Sequence, residues 1–101
     1  MLFPKSALLA LLDFSEGEPI GPEEGTGLPR DIVPIDDSLQ EKYKNGDELR
    51  RMVFRYDGQY YRASYRIGED CKPFEFDDDL ECEEVYPHVV QKTVYKNYKQ
   101  E

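Results

Sequence analysis

The chain has 101 residues and a formal net charge of −9, with 22 Asp and Glu residues against 13 Lys and Arg. This length favours one domain with a modest core, and the acidic balance disfavours binding to nucleic acid or anionic lipid through the surface as a whole. Two cysteines, Cys71 and Cys82, have ten residues between them and form no CxxC pattern, so neither a disulfide framework nor a zinc site with paired ligands is indicated. We expect reduced thiols, and pairing of the two cysteines across a hairpin stays open.

The first 14 residues predict a short helix. Pro4 fits the first turn, and an apolar run follows from Ala7 to Leu12. Six apolar residues are too few for a secretion signal or a transmembrane span. Because the run is apolar on nearly every side, we expect this helix to be buried in the core, with packing against a second copy or a partner as the alternative.

Residues 15–35 are rich in glycine and proline, which excludes a helix or a central strand. We expect an extended connection that lies over the domain, and a disordered linker is the alternative. The apolar residues that could anchor this connection are Ile20, Leu28, Ile32, Val33 and Ile35. The next residues, Asp36, Asp37 and Ser38, offer N-cap oxygens, so we predict a short surface helix through Lys44 that Asn45-Gly46 closes.

The segment from Leu49 to Ile67 predicts a β-hairpin. Asp57-Gly58 separates two runs rich in Val, Phe and Tyr, which is typical of a two-residue turn. The turn sets the register, so that Phe54 faces Tyr61 on a mostly apolar side. The opposite side carries Arg51, Arg55, Arg62 and Arg66. These arginines either pair with the acidic residues that follow or form an anion or nucleic-acid platform with Tyr60.

Nine of the sixteen residues from Glu69 to Glu84 are acidic. Within this run, Pro73 to Phe76 predict a strand that buries both phenylalanines, and Asp77 to Asp79 predict a turn. Leu80 to Tyr86 predict a further strand. The tail from Val89 to Lys99 fits a strand better than a helix by composition, although both patterns are present.

These elements predict one α+β domain over residues 1–101, with an N-terminal helix at 1–14, a Gly/Pro-rich connection at 15–35 and a helix plus β-sheet at 36–101. The sheet is expected to be small, mostly antiparallel and centred on the 49–67 hairpin, with one or two short helices in total. The order of the strands beyond the hairpin cannot be derived from these patterns.

No catalytic, nucleotide-binding or metal-binding motif occurs in the sequence. The one histidine, His88, follows Pro87 outside any known nucleophile context and is expected on the surface. The carboxylates at Asp77, Asp78, Asp79 and Glu81 lack the ligand spacing of an EF-hand. We therefore expect a protein that is not an enzyme and that has no cofactor and no metal.

The stretch from Phe54 to Tyr95, FRYDGQYYRASYRIGEDCKPFEFDDDLECEEVYPHVVQKTVY, resembles small acidic proteins that phages and prophages of Gram-positive bacteria encode. The resemblance covers under half of the chain. It implies a product that acts in the host cell cytoplasm, in a group that looks rich in inhibitors of host defence such as anti-CRISPR proteins. Several of those inhibitors are acidic DNA mimics.

The charge pattern and the resemblance together predict an inhibitor that presents carboxylates where a basic nucleic-acid-binding host protein, such as a CRISPR nuclease, expects phosphates. Residues on one face of a strand are about 6.5–7 Å apart, a spacing similar to that of phosphates along a nucleic acid. The predicted partner-binding residues are Glu69, Asp70, Glu75, Asp77, Asp78, Asp79, Glu81, Glu83 and Glu84, with Phe76 or Tyr86 as an apolar anchor. The run could equally be only a solvated surface.

The alternative function is a structural or assembly protein that forms a homo-oligomer, such as a homodimer, through the Leu-rich helix and the aromatic hairpin. Neither direct binding to nucleic acid nor contact with a membrane is expected, because the net charge opposes both.

Overall fold

Six β-strands and one α-helix make up the part of the chain that this computed structural model describes, which is residues 1–69, 72–74 and 79–87. In chain order the elements are β1 (Leu2–Phe3), α1 (Lys5–Asp13), a 3-10 turn (Pro22–Glu24), β2 (Ile32–Lys42), β3 (Glu48–Tyr56), β4 (Gln59–Ile67), β5 (Leu80–Glu81) and β6 (Glu83–Val85). The four-stranded sheet has the order β2-β3-β4-β6, β1 pairs with β5 separately, and each of these pairings is antiparallel. The predicted α+β class is confirmed.

The β3–β4 hairpin has the register that the sequence predicted. Asp57 and Gly58 form its turn with φ angles of 52° and 76°, and two positive values are typical of the type I′ turn that suits twisted strands. Phe54 pairs with Tyr61, and their rings stack with 5.9 Å between centroids. Alternation along the strands then creates two faces. The inner face carries Met52, Phe54, Tyr56, Tyr61, Ala63 and Tyr65, and the outer face carries Arg51, Val53, Arg55, Tyr60, Arg62 and Arg66.

The N-terminal segment covers the inner face. Phe3 is completely buried, and its ring meets the rings of Phe54, Tyr56 and Tyr61 at centroid distances of 4.9, 5.6 and 5.0 Å. Helix α1 buries Ala7, Leu8 and Leu11 in the same core, as expected for a run that is apolar on nearly every side. Each large apolar side chain that is buried in this way contributes about 1.5–3 kcal/mol to folding.

The Gly/Pro-rich connection runs along the domain and is held by both backbone and side chains. Ile20 exchanges two backbone hydrogen bonds with Ile32, of 2.8 and 3.0 Å. The buried Thr26 accepts a 2.8 Å hydrogen bond at its carbonyl oxygen from the Ser6 hydroxyl, which ties the connection to α1. Four of the expected anchors, Ile20, Leu28, Ile32 and Val33, are buried, and Ile35 is half-buried.

The helix predicted from Asp36 to Lys44 is wrong, because these residues lie mostly in β2. Asp37 and Ser38 pair with Met52 and Arg51 of β3, with register shifts after Pro34 and after Leu39. Local capping oxygens predicted a helix, but the long edge of β3 offers backbone partners along the whole segment, and this tertiary pairing outweighs a weak local preference. Asn45-Gly46, predicted to close a helix, instead lies in the β2–β3 connection, where Gly46 has a φ of 94°.

Two predictions in the acidic run also need correction. Pro73 and Phe74 form a turn rather than a strand, and Phe74 has a φ of 55° while its ring packs 5.2 Å from that of Tyr65. The strand predicted from Leu80 to Tyr86 is divided at Cys82 into β5 and β6, because its two halves pair with different partners, β1 and β4. The predictions for Cys71, Phe76, His88 and the tail at 89–99 lie outside the described residues.

Candidate functional site on the acidic segment and the outer face

The acidic segment, defined here as residues 79–85, has a fixed backbone. Cys82 is almost fully buried, and its N–H donates a 2.9 Å hydrogen bond to the carbonyl oxygen of Met1. The N-terminal amine in turn donates to the carbonyl oxygen of Cys82 at 3.1 Å and to Glu81 at 2.8 Å. Since β5 and β6 pair on either side of this point, the segment is held between two sheets. The backbone atoms of the residues that carry the carboxylates are therefore held in defined positions.

The structure places the described members of the predicted binding set on the surface. The side chains of Glu81 and Glu83 remain 70% and 66% exposed although each makes an ion pair. Glu69, Asp79 and Glu84 are also exposed, as is Tyr86 at 69%. The remaining predicted residues, Asp70, Glu75, Phe76, Asp77 and Asp78, lie outside the described residues.

The outer face carries the arginines, and two of them have acidic partners. Arg62 pairs with Glu83 at 2.5 Å, which joins the outer face to the acidic segment as internal pairing requires. Arg66 pairs with Asp47 at 3.1 Å and lies 4.3 Å above the centre of the Tyr43 ring. The exposed pair of Arg62 with Glu83 contributes only about 0–1 kcal/mol, whereas Asp47, the partner of Arg66, is buried. The Arg62 pair orients its guanidinium group more than it stabilises the fold.

The other two arginines of this face have no hydrogen-bond or ion-pair partner in the described part of the chain. Arg55 is exposed. Arg51 is half-buried, and its Nε atom is buried without an acceptor, the one such side-chain atom found in the described residues. A buried donor without an acceptor costs about 1–3 kcal/mol of folding free energy, and on the outer face this cost arises at the Nε atom of Arg51.

A shallow apolar groove of about 210 Å³ crosses the same face. Its lining consists of Ile35, Val53, Tyr60, Val85, Tyr86 and Pro87. Val53 pairs with Arg62 across the hairpin and Tyr60 pairs with Arg55, so the groove runs directly beside the arginines. The outer face therefore combines an apolar strip with cationic borders.

A cluster of polar side chains lies on the inner face, at the end of the hairpin opposite its turn. The Tyr65 hydroxyl donates a 2.6 Å hydrogen bond to Asp37, whose other oxygen accepts from Arg50 at 3.3 Å. Burial, followed by this hydrogen bond, raises the pKa of Tyr65 to about 12. The pKa of Arg50 is also raised, chiefly by its 3.0 Å hydrogen bond to Glu48. All of these groups satisfy one another, so the cluster closes the end of the core rather than offering a reactive group.

Cys82 is the one cysteine among the described residues. Burial raises the pKa of the Cys82 thiol to about 11, so at neutral pH it is a neutral thiol and a poor nucleophile. No three or more His, Cys, Asp and Glu side chains in the described ranges are arranged to hold a metal ion. Within those same ranges, no helix has the length and apolar character needed to cross a membrane.

Sequence reasoning found the arginines of the outer face but missed the groove beside them. Ile35 reaches the groove because it lies two residues after Val33, which pairs with Arg55 of the outer face, and the register shift that follows places Asp36 opposite Val53 on the same side. Val85 and Pro87 lie at the groove because β6 pairs with β4. The Ile-Asp-Asp pattern contained no signal for such a bulge, whereas the hairpin register did predict that Val53 and Tyr60 share a face with the arginines.

Comparison of the chain with models of protein families, with curated proteins and with solved structures finds no match. The resemblance of residues 54–95 to phage proteins accordingly stays a prediction. Function is inferred here from the geometry of the acidic segment and the outer face.

Proposed function

We propose that the chain is a non-enzymatic inhibitor whose carboxylates bind a basic nucleic-acid-binding protein in place of nucleic-acid phosphates. One observation carries the proposal: the acidic segment is fixed between two sheets around the buried Cys82, while its glutamates stay exposed. A fixed array loses little conformational entropy when it binds, so more of the interaction energy appears as affinity.

The exposed carboxylates differ in how freely they can meet a cationic partner. Glu69, Asp79 and Glu84 have no ion-pair partner among the described residues. Glu81 and Glu83 already have one each, but exposed pairs contribute only about 0–1 kcal/mol, so a partner's arginine can replace the internal cation at small cost. A charge-assisted hydrogen bond to Arg or Lys is about twice as strong as a neutral one.

The net charge of −9 supports the same function, because it attracts a cationic groove over a distance and accelerates encounter. The partner we propose is a defence protein of a bacterial host, such as a CRISPR nuclease, in the host cytoplasm. This assignment rests on the phage resemblance, and the chemistry of the acidic segment requires only that the partner be basic.

The homo-oligomer alternative loses support from the position of the helix. Leu8 and Leu11 lie in the core of the chain itself, and the aromatic face of the hairpin lies beneath them. An interface built from these residues would require the core to open.

The test is a competition experiment with a basic CRISPR nuclease of a Gram-positive bacterium and a fluorescent DNA, followed by anisotropy. The chain is expected to displace the DNA. The double variant Asp79→Asn, Glu84→Gln should compete about a hundredfold more weakly, since two charge-assisted contacts of about tenfold each are lost. The matched control is Glu24→Gln, Glu41→Gln, which removes the same charge from other exposed positions.

Equal competition by the two double variants would contradict a local array and leave only a general charge effect. Absence of any competition by the wild-type chain, across nucleases of several types, would contradict the function itself. Thermal unfolding of both variants establishes that their folds are unchanged.

A further inference from the structure

We infer that the outer face is a docking groove for an extended peptide of a partner protein that carries an acidic side chain two positions before or after an apolar one. This inference does not depend on the function proposed for the acidic segment. It begins with the layout of the four-stranded sheet. Helix α1 and Phe3 cover the inner face. The outer face carries the apolar groove, and Tyr86 in the lining of that groove is 69% exposed.

The apolar part of the occupant follows from the groove. All six lining residues are apolar or aromatic, and the two tyrosines, Tyr60 and Tyr86, present their rings at its border. Tyrosines supply a large contact area at low cost in conformational entropy, which makes them common anchors in interfaces. A groove of about 210 Å³ accepts one or two aliphatic side chains rather than a folded domain.

The acidic part of the occupant follows from charge complementarity. Arg51 and Arg55 lie on the outer face on either side of Val53, so their Cα atoms flank the groove at about 6.5–7 Å from Val53. Neither side chain has a hydrogen-bond or ion-pair partner in the described part of the chain. A carboxylate that pairs with either guanidinium group would form a charge-assisted hydrogen bond.

A peptide satisfies both requirements because every second side chain of an extended chain points to the same side. When one residue enters the groove beside Val53, the residues two positions before and after it face Arg51 and Arg55, with the same spacing as the strand beneath. A nucleic acid satisfies only the charge requirement. It has no aliphatic side chain for the groove, whose lining residues are all apolar or aromatic.

The experiment selects short peptides from a random display library on the immobilised wild-type chain and sequences the enriched pool. Peptides that carry Asp or Glu two positions before or after Val, Leu, Ile or Phe are expected. The most enriched peptide is then labelled with fluorescein and titrated by anisotropy against single variants. Arg55→Gln and Arg51→Gln should each weaken its binding about tenfold, the loss expected for one charge-assisted hydrogen bond.

Tyr86→Ser should weaken the same peptide by a similar factor, because an apolar anchor is lost. The matched control is Arg30→Gln, which removes an exposed arginine that pairs with Asp57 at the hairpin turn and should leave the affinity unchanged. Thermal unfolding is measured for every variant, so that loss of fold is separated from loss of contact.

Three outcomes overturn the inference. The first is enrichment of basic or purely polar peptides, or no enrichment at all. The second is tighter binding of a short single-stranded DNA than of any selected peptide, with the same dependence on Arg51 and Arg55. The third is a dimer, detected by light scattering, that dissociates on Tyr86→Ser, because a second copy would then occupy the face.

Discussion

The hydroxyl of Tyr65 donates a 2.6 Å hydrogen bond to Asp37, and this contact joins the central hairpin to the strand that the sequence predicted to be a helix. Tyr65 is almost fully buried, with only 6% of its surface exposed. The Asp37 side chain is 37% exposed, so the bond lies at the border of the core, where it joins β2 to the hairpin.

Tyr65→Phe should lower the free energy of unfolding by about 1 kcal/mol, the usual contribution of one hydrogen bond. It should also change the response to alkali. The folded pKa is raised from 10.0 to about 12, so wild-type unfolding releases a proton between these values and rising pH destabilises the chain there. Urea unfolding at a series of pH values should show this loss for the wild type, and a smaller loss for the variant. Equal slopes for the two proteins would contradict the assignment.

Phe3→Ala should destabilise the fold by about 3–5 kcal/mol, because a ring that contacts three aromatic side chains is replaced by a cavity. The neighbouring Leu2 is 55% exposed, and Leu2→Ala should change stability by less than about 0.5 kcal/mol. Thermal or urea unfolding measures both. Similar losses for the two variants would mean that the N-terminal strand does not cover the inner face as described.

Gly68→Ala should destabilise the chain by about 1–3 kcal/mol through overpacking. A Cβ atom at Gly68 would overlap the carboxylate of Asp47, which is itself held by Asn45 at 3.1 Å and by Arg66 at 3.1 Å and so has little freedom to move. Ser64→Ala, at an exposed position of β4, is the control and should be nearly neutral. A stable Gly68→Ala variant would show that the β2–β3 connection can rearrange.

The ion pair between Arg62 and Glu83 should contribute little to stability. A double-mutant cycle of Arg62→Gln and Glu83→Gln, measured by urea unfolding, is expected to give a coupling energy of about 0.2–1 kcal/mol. The reason is that the Glu83 side chain is 66% exposed and the Arg62 side chain 33% exposed. A coupling energy well above this range would mean that the pair stabilises the fold. An arginine of a partner protein would then not replace Arg62 at small cost.

Cys82 should be inert toward thiol reagents while the chain is folded. In a Cys71→Ser variant, which leaves Cys82 as the one thiol, alkylation by iodoacetamide at neutral pH should be slow in buffer and fast in denaturant. Burial raises the thiol pKa to about 11 and also blocks access, so both effects act in the same direction. Fast reaction of the native variant would mean that the centre of the acidic segment opens readily.

The residues of the acidic segment illustrate how far the functional site could be predicted. Exposure of Glu81, Glu83 and Glu84 follows from their charge, and the sequence predicted it. The ion pair of Glu81 with the N-terminal amine joins groups 80 residues apart, and no local pattern indicates such a contact. The division of the segment at Cys82 also depends on distant residues, because β1 pairs with one half of the segment and β4 with the other.

The sequence alone determined the helix, the hairpin and its register, because these depend on the apolar period of a short stretch and on the backbone preferences of Asp57-Gly58. Only the tertiary structure decided that residues 36–42 form a strand, that Ile35 and Val85 share a groove, and that the Nε atom of Arg51 has no acceptor among the described residues. The physical reason is that local preferences are worth tenths of a kcal/mol per residue, whereas pairing with a distant strand supplies a backbone hydrogen bond at every second position and a buried face as well.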